Sequence, residues 1–169
     1  MTDARELLGI QFRRGHDLLE ATIADCPPAL LSHQFAGGTI TPIAVIYAHA
    51  LLSEDALVTR AVGDGQTVFA REGWSERLGF AEAAAFQAAD WRDRAIDMPA
   101  FRDYAASVYR ATGDLLAAAT DETLSRNVGR NQPMTAIEFL AQIGVLHVAE
   151  HWGEIAALKG VLGARGLAF

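Results

Sequence analysis

The chain reads as all-α: a four-helix bundle with an extra short helix in the long connection between its second and third helices. Three observations predict this. Alanine is abundant and β-branched residues are sparse, which favours helix over strand. Four segments of roughly twenty residues, each about 30 Å long as a helix, repeat apolar positions at helical spacing. No run alternates apolar and polar residues as a half-buried strand does. With 169 residues, 51% of them hydrophobic, the chain suits one domain over residues 1–169 with a single substantial core.

The first helix is expected from Asp3 to Asp25, on Leu8, Phe12, Leu19 and Ile23, with Pro27 and Pro28 as its stop. The second runs from Thr41 to Val62, with Thr41 as N-cap, Pro42 in the first helical position and Gly63 at its end. The third runs from Pro99 to Ala119, where Phe101, Tyr104, Val108 and Leu115 share a face. The fourth runs from Thr135 to Val161, opened by a Thr135–Glu138 capping box and followed by Gly163. Between the second and third helices, Asp64-Gly65 reads as a turn and Ala81 to Ile96 as a weaker helix. Trp74, Phe80, Phe86 and Trp91 fall in this connection and should pack rather than float. Asn127 to Pro133 reads as a loop.

Charge and cysteine content narrow the function classes. A formal net charge of −7 argues against nucleic acid or an anionic membrane surface as a main partner. Cys26 is the sole cysteine, so no intramolecular disulfide forms, and it reads as a buried or half-buried thiol without a role. Met1 to Glu6 carries charges where a signal peptide needs an apolar run. The longest apolar stretch, Ile43 to Leu52, holds a histidine and is too short to span a bilayer. The expectation is a soluble, cytoplasmic protein.

Chemistry enters with His147 and His151. Residues at i and i+4 of a helix stand one above the other on the same face, where two imidazoles can close on one metal ion. Leu140, Gly144, His147, His151, Leu158 and Leu162 share a stripe expected to face the core. On the second helix His49 lies on a comparable stripe with Ile46, Ser53 and Ala56. Buried histidines are costly without partners, and a metal ion suits all three. Three neutral imidazoles form a recurring catalytic metal shell, because coordination positions stay open for water or substrate. Zinc or nickel is the leading expectation, with iron, manganese and cobalt also compatible with imidazole nitrogen. Histidines satisfied in the core without metal, or exposed ones, are the other readings.

Competing metal patterns fit less well. His147 to His151 matches the His-x-x-Glu-His of inverted zinc peptidases, but the chain ends soon after and lacks their downstream glutamate and mixed architecture. A di-iron bundle needs Glu-x-x-His pairs, and Ile46, Gly144 and Val148 occupy those positions. Opposed haem ligands do not lie on one helix face, as His147 and His151 do.

Other polar residues are set aside. His16, near Arg13 and Arg14, reads as a surface or boundary residue, and His33 as a loop residue. Glu54 reads as a solvated helix-face carboxylate, with orientation of a ligand as its alternative. Glu150 and Glu154 are candidate bases toward metal-bound water, and Trp152 a helix or dimer contact. Ser32 and Ser53 lack triad partners, and no Gly-rich phosphate loop occurs.

Together, Tyr47-Ala48-His49-Ala50-Leu51-Leu52-Ser53-Glu54 and His147-Val148-Ala149-Glu150-His151-Trp152-Gly153-Glu154-Ile155 resemble the DinB-like (YfiT-like) superfamily. The resemblance implies a four-helix bundle with a histidine on the second helix and His-x-x-x-His on the fourth. It maps the metal ligands onto His49, His147 and His151. Glu154 stands where similar proteins often carry glutamine. The resemblance further implies a metal-dependent enzyme, a thiol transferase or isomerase using a low-molecular-weight thiol, or a hydrolase, acting on a small molecule and forming a homodimer. The alternative is a non-catalytic metal-binding or interaction protein.

Overall fold

The computed structural model describes residues 3–36, 39–60, 62–63, 65–81, 91–129 and 131–167. Helix α1 (Ala4–Ala24) starts where the Asp3 carboxylate accepts the Arg5 amide at 2.9 Å. Leu8, Phe12, His16, Leu19 and Ile23 form its buried stripe. Pro28 then opens a single turn, α2 (Pro28–Leu31). Helix α3 (Ile43–Glu54) begins one residue later than the Thr41 cap predicts, because Pro42 itself occupies the N-cap. The Pro42 carbonyl accepts the amides of Val45 and Ile46 at 3.0 Å.

α3 does not run on as a regular helix toward Val62. From Asp55 to Arg60 it widens into π-helical turns, with hydrogen bonds reaching five residues back. The Gly63 amide still bonds the Val58 carbonyl at 3.2 Å. Two short helices follow, α4 (Val68–Arg71) and α5 (Trp74–Leu78). The extra helix expected over Ala81 to Ile96 falls largely on residues 82–90, outside the described residues, as does Phe86. At its described end Trp91 is helical and residues 94–97 are not. Trp74, Phe80 and Trp91 do pack: Phe80 meets Trp91 edge-on at 4.6 Å, and Trp74 meets Tyr104 at 5.2 Å.

Helix α6 (Met98–Ala118) is capped by Asp97 and buries Phe101, Tyr104, Ala105, Val108, Thr112 and Leu116. A turn of helix, α7 (Asp121–Ser125), precedes the loop, which the Val128 amide closes on the Met134 carbonyl at 2.9 Å. The Thr135–Glu138 capping box forms as expected and opens α8 (Ala136–Phe139). The chain then passes through a second π-helical stretch, Leu140–Gly144, into α9 (Val145–Val161).

The four long helices form the expected all-α bundle. α1 packs on α9 and α6, and α3 packs on the same two, so α1 and α3 occupy opposite corners. The approach of α1 to the last helix is close. A Cβ on Gly144 would stand 2.9 Å from Phe12 Cζ, and one on Gly15 would stand 3.0 Å from Val148 Cγ1. The two π-helical stretches meet each other across the bundle. Among the described residues no helix is long and apolar enough to cross a membrane.

Candidate metal centre

α3 is buried on almost every side. From Ile43 to Glu54 each residue is buried except His49, which is half-buried. His49 therefore marks the point where this central helix comes nearest the surface. On α9 the buried positions are Val148, Ile155, Ala156 and Lys159. His147 and His151 are half-buried, as are Leu158 and Leu162. The core-facing stripe expected through both histidines is thus displaced. The π-helical stretch absorbs an extra residue, so the stripe that begins at Leu140 and Gly144 continues through Val148 rather than His147. The histidines move to the flank of α9, toward α3.

That flank brings all three imidazoles together. Ring centroids lie 5.5 Å apart for His49 and His147, 5.0 Å for His49 and His151, and 4.4 Å for His147 and His151. Each ring offers a nitrogen, and the three nitrogens fall within 4.8 Å of one another, a group able to hold a metal ion. His147 Nε2 and His151 Nε2 face each other at 3.2 Å. Two nitrogens at that separation, each about 2.0–2.1 Å from a zinc-sized ion, subtend roughly 100° at it, close to a tetrahedral edge. His151 Nδ1 lies 3.0 Å from Glu154 Oε2. A carboxylate only accepts, so Nδ1 carries the proton and the His151 Nε2 lone pair points at His147. The Nδ1 atoms of His49 and His147 are buried with no hydrogen-bond partner, and His49 Nε2 has only Ser53 Oγ at 3.4 Å. The facing Nε2 atoms of His147 and His151, and the weakly paired Nε2 of His49, are the nitrogens an ion would complete.

Electrostatics favour neutral rings. Burial pushes His147 down to about 4, and the neighbouring His151 and His49 push the same way. Burial also lowers His49, with His151 adding and Glu154 opposing. Neutral imidazole is the ligating form. A consequence follows for the metal-free protein. Histidines with folded pKa values below the ordinary 6.5 hold fewer protons folded than unfolded. Their stability contribution is complete above about pH 6.5 and is lost as pH falls toward about 4. Thermal melts of chelator-treated protein are expected to show Tm falling across this window, and falling less in His147→Gln. An equal fall in both proteins would remove His147 as a cause.

The remaining polar residues depart from expectation in informative ways. His16 is 7% exposed and Glu54 is 2% exposed, so neither is a surface group. His16 Nε2 lies 3.0 and 2.9 Å from the two Glu54 oxygens, and Thr112 Oγ1 donates to Glu54 at 2.7 Å. Glu154 engages His151 as an orienting carboxylate, whereas Glu150 is exposed. His33 is exposed beside Phe35. Trp152 donates to Thr22 Oγ1 at 3.0 Å, tying α9 to α1. Cys26 is buried, and burial pushes its thiol up, away from reactivity. Two buried charges escape a reading of the sequence. Lys159 donates to the Thr22 carbonyl at 2.6 Å and to the Asp25 carboxylate, and Asp55 gathers donors from three elements. Both sit at positions where helical spacing calls for an apolar residue, which is the only local signal they leave.

Clefts of about 550, 900 and 590 Å³ open between α1 and α6, beside α2 and α3, and beside the loop at 128–134. None of these three is lined by His49, His147 or His151.

Comparison with known proteins sets this geometry in context. A family model described as the DinB superfamily matches residues 11–155. Among solved structures, a conserved protein from Enterococcus faecalis has a similar fold, with TM-score 0.76, 19% identity, and coverage of 94% of this chain and 96% of that one. No functionally curated protein matches the chain.

Proposed function

The chain belongs to the DinB superfamily, and we propose that it is a metal-dependent enzyme whose site is built on His49, His147 and His151. The observation that carries this reading is the convergence of three imidazole nitrogens within 4.8 Å, with no fourth histidine, cysteine or carboxylate in the group among the described residues. A three-nitrogen shell leaves coordination positions for reactants, which a closed structural site does not. Zinc or nickel suits the all-imidazole donor set. When bound, such a metal supplies Lewis acidity that lowers the pKa of a coordinated thiol or water to near neutrality.

The chain's own residues have separate tasks. Low proton affinity keeps His49 and His147 neutral at physiological pH. Glu154 holds the His151 Nδ1 proton and so fixes which nitrogen of that ring faces the site. Burial of α3 around His49 excludes water from one side of the triad, while the half-buried α9 rings leave the other side open to a small molecule. A low-molecular-weight thiol, transferred to an electrophile or used in an isomerisation, is the substrate class we favour, with hydrolysis as the related outcome for water.

Calorimetric titration of glutathione and L-cysteine into zinc-loaded, nickel-loaded and metal-free protein tests the thiol reading. Binding is expected only in a loaded form. Equal heats with and without metal, or none in either loaded form, would reject thiol activation. The second reading, a non-catalytic metal-binding or interaction protein, draws on one observation: the clefts described above are not lined by the triad. Metal-dependent turnover of a thiol with an electrophile, or of an ester, separates the two.

A further inference from the structure

The histidine triad and one of the clefts lie along the same groove. From α8 through the π-helical stretch into α9, Phe139, Ile143, His147 and His151 follow one another at four-residue spacing, and all four are half-buried. They form one row on the flank of the helix, with imidazoles at one end and apolar side chains at the other. Ile143 and Phe139 line the cleft of about 590 Å³ beside the loop at 128–134. Along the helix axis they stand roughly 6 and 12 Å from His147.

The facing wall comes from α3 and its π-helical extension, which run antiparallel to that row. His49 meets His147 and His151, and the later stretch Asp55–Arg60 meets the earlier one Leu140–Gly144. Moving forward from His49 therefore leads the same way as moving back from His147. Ser53 comes next, its hydroxyl 3.4 Å from His49 Nε2. Ala56 and Leu57 follow, half-buried, in the lining of the cleft. Both walls thus carry a histidine of the triad at one end and cleft-lining apolar side chains one or two turns on.

The cleft itself is apolar. Val128 and Met134 complete its wall with Ala56, Leu57, Phe139 and Ile143. The polar lining residues Arg60, Asn131 and Gln132 are exposed, and no carboxylate is in the lining among the described residues. Met134 adds an unbranched, adaptable side chain of the kind that moulds to flexible apolar groups.

We propose that this cleft seats the apolar chain of an elongated substrate whose polar, reacting end meets the metal. The inference rests on the metal reading of the triad and narrows its substrate: the electrophile carries an unbranched alkyl or acyl chain. An extended chain is the shape that fits, because the two sites follow one another along one groove instead of sharing one bowl. Burial of the chain supplies affinity, and the open coordination positions remain for the reacting groups.

Alkyl hydroxamates test this, since the hydroxamate end chelates zinc and the chain length can be varied. In metal-free protein carrying ¹³C-methyl methionine, octanohydroxamate is expected to shift the Met134 methyl saturably. Met98, which lines a different cleft, should stay unmoved. In zinc-loaded protein, calorimetric titration should show tighter binding with each added methylene. Full burial of a methylene is worth about fourfold in affinity, and in a half-exposed cleft about twofold is expected, or about fiftyfold from acetohydroxamate to octanohydroxamate. Octanohydroxamate should bind the loaded protein about tenfold or more tightly than the metal-free one, because one molecule then uses both sites. Ala56→Phe, which fills the cleft, should flatten the series while zinc content stays at that of wild type. A flat series in zinc-loaded wild type, equal shifts at Met98 and Met134, or a series unaltered in Ala56→Phe would overturn the proposal and leave the metal reading standing. Equal octanohydroxamate affinity with and without bound zinc would overturn it as well, making the cleft a separate apolar site. Failure to bind zinc would sink the metal reading, and the two-ended site with it.

Discussion

Replacing His147 and His151 together by alanine is expected to abolish stoichiometric metal binding while leaving the bundle folded. Both rings are half-buried on the flank of α9, outside the stripe of Val148, Ile155, Ala156 and Lys159 that holds this helix to the core. Truncating them removes two of the three nitrogens proposed to ligate the ion and costs little packing. Elemental analysis of protein purified without a histidine tag or chelator, beside the double variant, measures the effect. Circular dichroism reports whether the helices persist. A graded companion is Glu154→Ala. It keeps all three ligands but frees the His151 Nδ1 proton from its acceptor, and loss of such an orienting partner typically weakens metal affinity about 10–100-fold. Full metal content in the double variant would show that the ion sits elsewhere. Unchanged affinity in Glu154→Ala would show that the ring needs no carboxylate to hold its orientation.

The second large effect is on stability, at Asp55. Its side chain is completely buried at the start of the π-helical stretch. One oxygen accepts the Val68 amide at 2.7 Å and the other the Phe69 amide at 2.8 Å. These are two of the free amides in the first turn of α4, where a helix favours negative charge. Tyr104 of α6 adds its hydroxyl at 2.6 Å, and Thr59 adds another. One carboxylate thus joins α3, α4 and α6. Asp55→Ala strands several buried donors at once, each costing about 1–3 kcal/mol, so the expected loss is about 3–5 kcal/mol or more. That is a large part of the total stability of a typical domain. Tyr104→Phe removes a single donor and should cost about 1–2 kcal/mol. Urea denaturation measures both through the shift in midpoint at constant m. A loss below about 1 kcal/mol for Asp55→Ala would mean that water replaces the carboxylate, contrary to its complete burial.

Much of the architecture was legible because its signals are local. Apolar residues at three- and four-residue spacing, the Thr135–Glu138 capping box and the prolines after α1 act within a turn or two of chain. Counted with their π-helical stretches and with α8, the four long helices accordingly end close to where the sequence puts them. The His147–His151 pair is legible for the same reason, since four residues on a helix is a spatial statement. The stripe through it was misjudged because a π-helical turn leaves no simple mark. Leu140–Gly144 carries neither proline nor an unusual run, and what it meets is the other π-helical stretch across the bundle, far away in sequence.

The sequence by itself determined the fold class, the four long helices and the identity of the three histidines that converge. Only the tertiary structure decided which ionisable groups are buried and what they serve. His16 reaches Glu54 across 38 residues, Thr112 reaches it across 58, Tyr104 reaches Asp55 across 49, and Lys159 reaches Asp25 across 134. A charged side chain on a helix prefers water unless a distant partner replaces it. Whether that partner is present depends on how α1, α3, α6 and α9 come together, not on any residue within a turn of the charge.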